Sequence, residues 1–158
     1  MNFFDASALV KRYVRETGSS TVRRLLREVT PAISRLTEAE VSSAFARRRR
    51  EGTFSSRQHA RALAALQSDL LRSHVIELST DVVARVHVLV ARHPVRAADA
   101  LQLASAIVLR EAVGRVVFVA YDTRLREAAR AEGFSLSPGR PSRSAGVSRR
   151  TRDELLPS

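Results

Sequence analysis

The sequence predicts an α/β protein whose parallel β-sheet is covered by helices on both faces. Short apolar segments alternate with segments of helical periodicity along most of the chain, a pattern typical of parallel sheets. The segment at 116–120, VVFVA, is continuously apolar, as expected of a strand buried on both faces. At 158 residues, 44% of them hydrophobic, the chain can form one domain with a sizeable core.

The boundaries of the elements follow from residues that interrupt each pattern. Pro31, Gly52, Pro94 and Gly114 each stand where a helical or extended pattern stops. The segment at 96–112 is apolar nearly all round, which predicts a buried helix. In chain order, the predicted elements are a strand at 1–5, helices at 6–15 and 21–29, a strand at 32–36, helices at 37–51 and 56–70, a strand at 74–79, helices at 81–93 and 96–112, a strand at 115–122, a helix at 123–133 and a short strand at 134–137.

The chain is strongly basic and has no cysteine. It contains 27 Lys and Arg residues against 16 Asp and Glu, a formal net charge of +11, and Lys11 is its only lysine. Arginine suits phosphate binding because its planar guanidinium offers a fork of donors, so the charge favours a nucleic-acid partner. A compositional bias of the genome is the alternative explanation. The absence of cysteine excludes disulfides and thiolate metal sites.

The sequence shows neither a membrane-spanning segment nor a signal peptide. No apolar run approaches the roughly 20 residues of a membrane span, and no basic region precedes an apolar core as in a signal peptide. We therefore expect a cytoplasmic protein that does not engage a membrane.

Residues 138–158 are rich in Pro, Ser, Gly and Arg, which predicts a basic flexible tail after a folded domain at 1–137. Five Arg, one Asp and one Glu give this tail a charge of +3 and leave the body near +8.

Four carboxylates stand at the ends of predicted elements. Asp5 follows the first strand, Glu40 lies in the first turn of the helix after the second strand, Asp99 lies in the first turn of the buried helix, and Asp122 ends the strand at 115–122. In parallel α/β sheets, functional sites form in the crevice beyond the carboxyl ends of the strands. The four acids are therefore expected to face one crevice.

Crowded carboxylates require a cation, or some of them become protonated. Oxygen ligands without Cys or paired His indicate Mg²⁺ or Mn²⁺ rather than zinc. Such an ion activates water and stabilises charge on a phosphoryl oxygen. Together with a basic body, the acids favour hydrolysis of a phosphodiester.

Some of these acids also have a structural explanation. Asp5 and Asp122 each precede a helix, where N-capping is common. Glu40 stands three residues after Thr37, as in a capping box, and Glu38 competes with Glu40 for the role of site acid.

Asp99 fits a purely structural role least well. It belongs to a helix with few polar positions, and a buried lone carboxylate costs several kcal/mol, roughly, unless it is paired or bound to metal. Arg96 is its possible ion-pair partner. Ser7, two residues after Asp5, either caps the first helix or positions a water molecule, and the arginines at 47–50 form either a solvated face or a phosphate contact.

Four segments of the chain together resemble the PIN domain, and specifically the VapC-type toxin ribonucleases of bacterial toxin–antitoxin pairs. They are FDASALVKRYVRETGS (4–19), SRLTEAEVSSAFARR (34–48), RAADALQLASAI (96–107) and VAYDTRLREAARAEGF (119–134), in the order and spacing of that family. The resemblance covers residues 2 to about 136, so the Arg-rich tail stands outside it.

The resemblance implies a three-layer α/β/α sandwich with a parallel sheet of about five strands. It implies Mg²⁺- or Mn²⁺-dependent cleavage of RNA, with Asp5, Glu40, Asp99 and Asp122 as catalytic and metal-binding acids and Ser7 in support. It also implies a homodimer and an antitoxin protein that blocks the site.

Three other functions are compatible with parts of the sequence. A non-catalytic nucleic-acid-binding domain would use the acids as caps and in salt bridges. A phosphatase with an Asp nucleophile usually has a second Asp two residues later, where this chain has Ser7. A phospho-acceptor signalling domain requires a Lys near the last strands, and the only lysine is Lys11.

Overall fold

The computed structural model describes residues 1–139, which form a five-stranded sheet and seven α-helices. Most of the basic tail predicted at 138–158 lies outside the described residues. The strands are β1 (Asn2–Phe4), β2 (Pro31–Ser34), β3 (His74–Ile76), β4 (Val117–Val119) and β5 (Ser135–Ser137). The helices are α1 (Ala6–Leu9, continued by a 3₁₀ turn at Val10–Arg12), α2 (Ser19–Glu28), α3 (Arg35–Arg50), α4 (Ser56–Leu70), α5 (Thr80–Arg92), α6 (Ala97–Val113) and α7 (Thr123–Ala131).

The sheet is parallel throughout, and its strand order is β3-β2-β1-β4-β5. The first strand is therefore central, with β2 on one side and β4 on the other. Phe3 is aligned with Ala32 of β2 and with Phe118 of β4. Since all strands run in one direction, the segments that leave β1, β2 and β4 start side by side at one edge of the sheet.

Helices cover both faces of this sheet, which confirms the predicted α/β/α sandwich. Successive residues of β1 point to opposite faces, so Phe3 joins a core with α5, α6 and α7, whereas Phe4 joins a core with α1 to α4. Phe3 stacks on Phe118 with ring centroids 5.4 Å apart, and Phe45 of α3 meets the edge of Tyr13 at 5.3 Å. These two apolar layers make the sheet a rigid support for the segments that leave β1, β2 and β4 at its edge.

The strands are shorter than predicted, and for β2 the reason is that the chain turns into a helix earlier than expected. The predicted strand at 32–36 ends at Ser34, whose hydroxyl accepts a hydrogen bond from the Leu36 N–H at 3.3 Å and so caps α3. Thr37 is therefore not the cap and lies fully buried inside the first turn. As a consequence, Glu40 lies in the second turn of α3 and not in the first.

The helix predicted at 6–15 is also shorter, because α1 gives way to the 3₁₀ turn. The Tyr13 hydroxyl donates to Asp69 of α4 at 2.9 Å, and the Ser19 hydroxyl donates to the Val14 carbonyl at 2.7 Å. A continuous helix would rotate these residues away from both partners. Contacts distant in sequence therefore override the local helical periodicity.

None of the helices within residues 1–139 is long and apolar enough to cross a membrane.

Gly18 is the position where the fold demands glycine most strongly. It has φ of 91°, and a Cβ added there would lie 2.5 Å from the Tyr121 ring.

We predict that Gly18→Ala lowers the free energy of unfolding by about 2 kcal/mol, through left-handed strain and displacement of Tyr121. The control is Gly52→Ala, which has φ of 74° but open space around it, and which should lower it by only about 1 kcal/mol. Urea unfolding of both variants measures the difference, and equal losses would contradict the proposed clash.

Candidate active site

Asp5 stands at the carboxyl end of the central strand and is almost fully buried, with 5% of its surface exposed. Its N–H donates to the Val119 carbonyl at 3.0 Å, which extends the pairing of β1 with β4. Its Oδ2 accepts a hydrogen bond from the Ser7 N–H at 2.9 Å, so Asp5 is the N-cap of α1. Capping explains the choice of a small polar residue here, but serine or asparagine would cap equally well without a buried charge.

Burial has a large effect on the acidity of this carboxyl group. Loss of hydration, together with repulsion from Glu40, raises the pKa of Asp5 to about 6. Hydrogen bonds from Ser7 oppose this shift without cancelling it. The Asp5 carboxylate is therefore destabilised in its charged form and lies close to a second acid.

Glu40 extends from α3 toward Asp5 and is held by an amide. The Gln102 side chain of α6 donates through Nε2 to Oε2 of Glu40 and to the Thr37 hydroxyl, the latter at 3.0 Å. Desolvation and repulsion from Asp99 raise the pKa of Glu40, although the bond from Gln102 lowers it. Glu40 is therefore the acid that interacts with both others: its charge raises the pKa of Asp5, and the charge of Asp99 raises the pKa of Glu40.

Gln102 is a site residue that our sequence analysis missed. It is 1% exposed and stands in α6 one turn after Asp99. The signal was present, because this is the only amide side chain in the apolar segment 96–112. A buried amide requires partners, and those partners are the site acid Glu40 and Thr37.

Asp99 lies in the first turn of α6, as predicted, but is only half-buried. Its Oδ2 accepts a hydrogen bond from the Arg96 N–H at 3.1 Å. The contact with Arg96 is therefore made by the main chain, and among residues 1–139 the Arg96 guanidinium forms no ion pair with Asp99. Since Asp99 is half-buried at the start of α6, its carboxylate bears only part of the desolvation cost of a fully buried charge.

Asp122 and Ser7 lie where β4 leaves the sheet. Asp122 caps α7, with Oδ1 accepting a hydrogen bond from the Leu125 N–H at 2.9 Å. The Ser7 hydroxyl accepts one from the Tyr121 N–H at 2.9 Å and so joins α1 to the residue before Asp122. Ser7 therefore connects the start of α1 to the end of β4, and Asp122 serves as a cap at that neighbouring strand end.

The choice between Glu38 and Glu40 follows from their contacts. Glu38 forms a surface ion pair with Arg35 at 3.1 Å and accepts a hydrogen bond from Gln67 at 3.2 Å. Glu40 instead lies close enough to Asp5 and to Asp99 for electrostatic repulsion. These contacts distinguish Glu40 from Glu38, which is paired at the surface.

Among residues 1–139, the four predicted acids differ from most other acids because no basic side chain forms a salt bridge with them. Within the described part of the chain, none of Asp5, Glu40, Asp99 and Asp122 forms a salt bridge. Seven other acids do, namely Glu16, Glu28, Glu38, Asp69, Glu77, Glu111 and Glu132. In a chain with a net charge of +11, this leaves a local concentration of negative charge at the edge of the sheet.

Within the described residues, these carboxylates are neighbours but are not close enough together to surround a metal ion. Across residues 1–139, no three His, Asp or Glu side chains are close enough together to enclose a metal ion. The donor set itself consists of carboxylate oxygens, the chemistry preferred by hard divalent cations. The N-termini of α6 and α7 add partial positive charge, which reduces the repulsion among the acids there.

A parallel sheet with acidic side chains beyond the ends of its central strands defines an α/β protein with a concentration of carboxylates at one edge of its sheet. Residues 3–131 match the PIN domain family. The chain is 35% identical over 137 residues to ribonucleases VapC45 and VapC49 of Mycobacterium tuberculosis, covering 86% of this chain and 94% of each relative. The chain therefore belongs to the PIN domain family, which confirms the resemblance found in its sequence.

Solved structures agree with this assignment of the fold. The M. tuberculosis toxin VapC20, described as cleaving the sarcin-ricin loop, superposes with a TM-score of 0.62 at 20% identity, over 85% of this chain and 96% of that one. FitAcB from Neisseria gonorrhoeae gives a TM-score of 0.64 at 16% identity, over 86% and 96% of the two chains.

The raised pKa of Asp5 predicts how stability depends on pH without added metal. Between about pH 4 and pH 6 the folded state keeps a proton on Asp5 that the unfolded chain has released, so stability falls as pH rises through this range. Asp5→Asn retains the N-cap and removes the charge. We predict that this variant gains on the order of 2 kcal/mol relative to wild type between pH 4 and pH 7.5.

Urea unfolding in EDTA at both pH values measures this gain. Asp81→Asn, which removes an exposed carboxylate in the first turn of α5, is the matched control and should follow the wild-type pH profile. A stability difference between Asp5→Asn and wild type that does not change with pH would contradict the prediction.

Proposed function

We propose that this protein is a Mg²⁺- or Mn²⁺-dependent endoribonuclease that cleaves RNA phosphodiester bonds and acts as the toxin of a toxin–antitoxin pair. One observation carries the proposal. Asp5 and Glu40, at the carboxyl end of the central strand, are desolvated, and Glu40 interacts repulsively with Asp5 and with Asp99. Yet none of these three acids has a basic partner among the described residues of a strongly basic protein. The similarity to proteins named ribonuclease VapC supports RNA as the substrate.

The chemistry of the donors fits a hard divalent cation. Asp5 and Asp99 would hold the main metal ion, Glu40 would complete its coordination or orient the attacking water, and Asp122 would bind directly or through water. A bound divalent cation lowers the pKa of water and stabilises charge on a phosphoryl oxygen. It would also offset the loss of hydration and the mutual repulsion that raise the pKa values of Asp5 and Glu40.

The protein's own side chains supply positioning and proton transfer. Glu40 has a raised pKa, which makes its carboxylate a better proton acceptor near neutral pH. Gln102 would be a positioning residue, because its amide holds Oε2 of Glu40 in place, whereas Oε1 of Glu40 receives no hydrogen bond from the described residues. No side-chain nucleophile is required, since water attacks the phosphorus.

A non-catalytic nucleic-acid-binding domain explains the site less well. Asp5 and Asp122 do serve as caps, but the salt bridges expected in that alternative are not made by the four acids within residues 1–139. Uncompensated carboxylates repel the phosphates of a nucleic acid. A divalent cation between the carboxylates and the phosphates removes this repulsion, and the nuclease proposal includes such a cation.

The proposal extends to partners and location. Structural neighbours include a toxin–antitoxin complex from Klebsiella pneumoniae and VapBC2 of Rickettsia felis bound to a DNA fragment from their promoter, which supports an antitoxin partner for this chain. The exposed Val83 and Val90, seven residues apart and therefore on one face of α5, support a homodimer, because exposed apolar side chains on one face favour a protein contact. An RNA substrate is consistent with action in the cytoplasm.

The direct test is cleavage of RNA by the purified full-length chain with Mn²⁺. We predict that wild type cleaves a long single-stranded RNA and that Asp5→Asn and Asp99→Asn each lower the rate at least about 100-fold. Mn²⁺ should raise the melting temperature of wild type and have a smaller effect on either variant.

Asp81→Asn is again the matched control, and it should keep wild-type cleavage and the wild-type response to Mn²⁺. Expression of wild type, but not of Asp5→Asn, should arrest bacterial growth. Cleavage that survives EDTA or both substitutions would refute the metal-dependent mechanism.

A further inference from the structure

The outer face of α3 forms an open depression beside the candidate active site. Its volume is about 330 Å³, and its lining consists of Ala39, Glu40, Ser43, Ala44 and Arg47. Four of these residues recur at positions i, i+3, i+4 and i+7 and so lie on one face of the helix. Acid and base stand at opposite ends of this face, and only small side chains lie between them.

Arg47 is the available cation of this depression. It is exposed, and within residues 1–139 it forms no salt bridge. Its neighbour Arg48 pairs with Glu16 at 2.7 Å and is already neutralised. The arginine run at 47–50 is therefore not uniform, since one member is committed to the fold and another faces the depression.

The geometry suits a ligand that passes from Glu40 to Arg47. Seven residues correspond to a rise of about 10 Å along the helix. Helical side chains lean toward the N-terminus, which directs Arg47 back over Ser43 and toward Glu40. Because Arg47 and Glu40 line the same depression and form no ion pair, there is space between them for another group.

We infer that this depression is a subsite for the RNA backbone next to the scissile bond, and that Arg47 binds a phosphate there. The inference rests on the proposed ribonuclease function and adds to it a residue that fixes the path of the substrate. A guanidinium binds phosphate through two parallel hydrogen bonds. The small side chains of Ala39, Ser43 and Ala44 leave room for a ribose, and the Ser43 hydroxyl can hydrogen-bond to it.

The experiment measures binding of a labelled 12-nucleotide single-stranded RNA of random sequence to the full chain in EDTA, by fluorescence anisotropy. A phosphate contact does not depend on sequence, so a random RNA is a sufficient probe. We predict that Arg47→Ala weakens binding about fivefold at 50 mM salt and reduces the salt slope by about 0.7. Arg47→Lys keeps the charge and should restore most of the affinity.

Arg49→Ala is the charge-matched control. Arg49 is an exposed arginine of the same helix without a salt bridge among the described residues, and at nine residues from Glu40 it faces the opposite side. Arg49→Ala should change the affinity for the RNA by less than about twofold. Thermal melts of both alanine variants should match wild type, because neither side chain is buried or paired.

The outcomes separate this inference from the function on which it rests. Equal effects of Arg47→Ala and Arg49→Ala, or no effect of Arg47→Ala, overturn the subsite, even when wild type cleaves RNA with Mn²⁺. Selective weakening by Arg47→Ala supports the phosphate contact. If wild type then fails to cleave RNA with Mn²⁺, the nuclease proposal falls, and with it the placement of the subsite next to a scissile bond, whereas the phosphate contact of Arg47 stands.

Discussion

The organisation of this protein depends on uncompensated negative charge at the end of its central strand. Asp5 is buried between two strands, faces Glu40, and lacks a basic partner in the part of the chain that the structure describes. Burying such a charge opposes folding, so apolar contacts elsewhere must offset it. Phe3 and Phe4 on either side of β1 supply many of these contacts, each within its own core.

A polar seam between α3 and α6 connects this core to the acids. The Ser105 hydroxyl contacts the Ser34 hydroxyl at 2.9 Å, and Gln102 bonds to Thr37. All four of these side chains are buried, and satisfied buried polar groups specify one packing arrangement over others. The seam therefore fixes α3 against α6, and with them the relative positions of Glu40 and Asp99. Stability and site geometry thus depend on the same hydrogen bonds.

The sequence was sufficient to predict the architecture, because the architecture follows from local patterns, and it also placed three of the four acids at the element ends where the structure has them. Alternating periodicities indicate the parallel sheet, and acids at strand ends follow from its direction. Contacts between distant residues account for the errors. The 3₁₀ turn after α1 depends on Asp69, which is 56 residues from Tyr13, and the role of Gln102 depends on Glu40, 62 residues away. Helix starts were displaced where Ser34, and not Thr37, provided the cap.

The most direct test of the central claim, that these carboxylates share a divalent cation, is anomalous diffraction from crystals grown with Mn²⁺. The account predicts a manganese ion about 2.0–2.2 Å from carboxylate oxygens of Asp5 and Asp99, within reach of Glu40 directly or through water. Manganese bound only at surface acids such as Glu77, with Asp5 neutralised by a lysine or arginine of the protein, would contradict it.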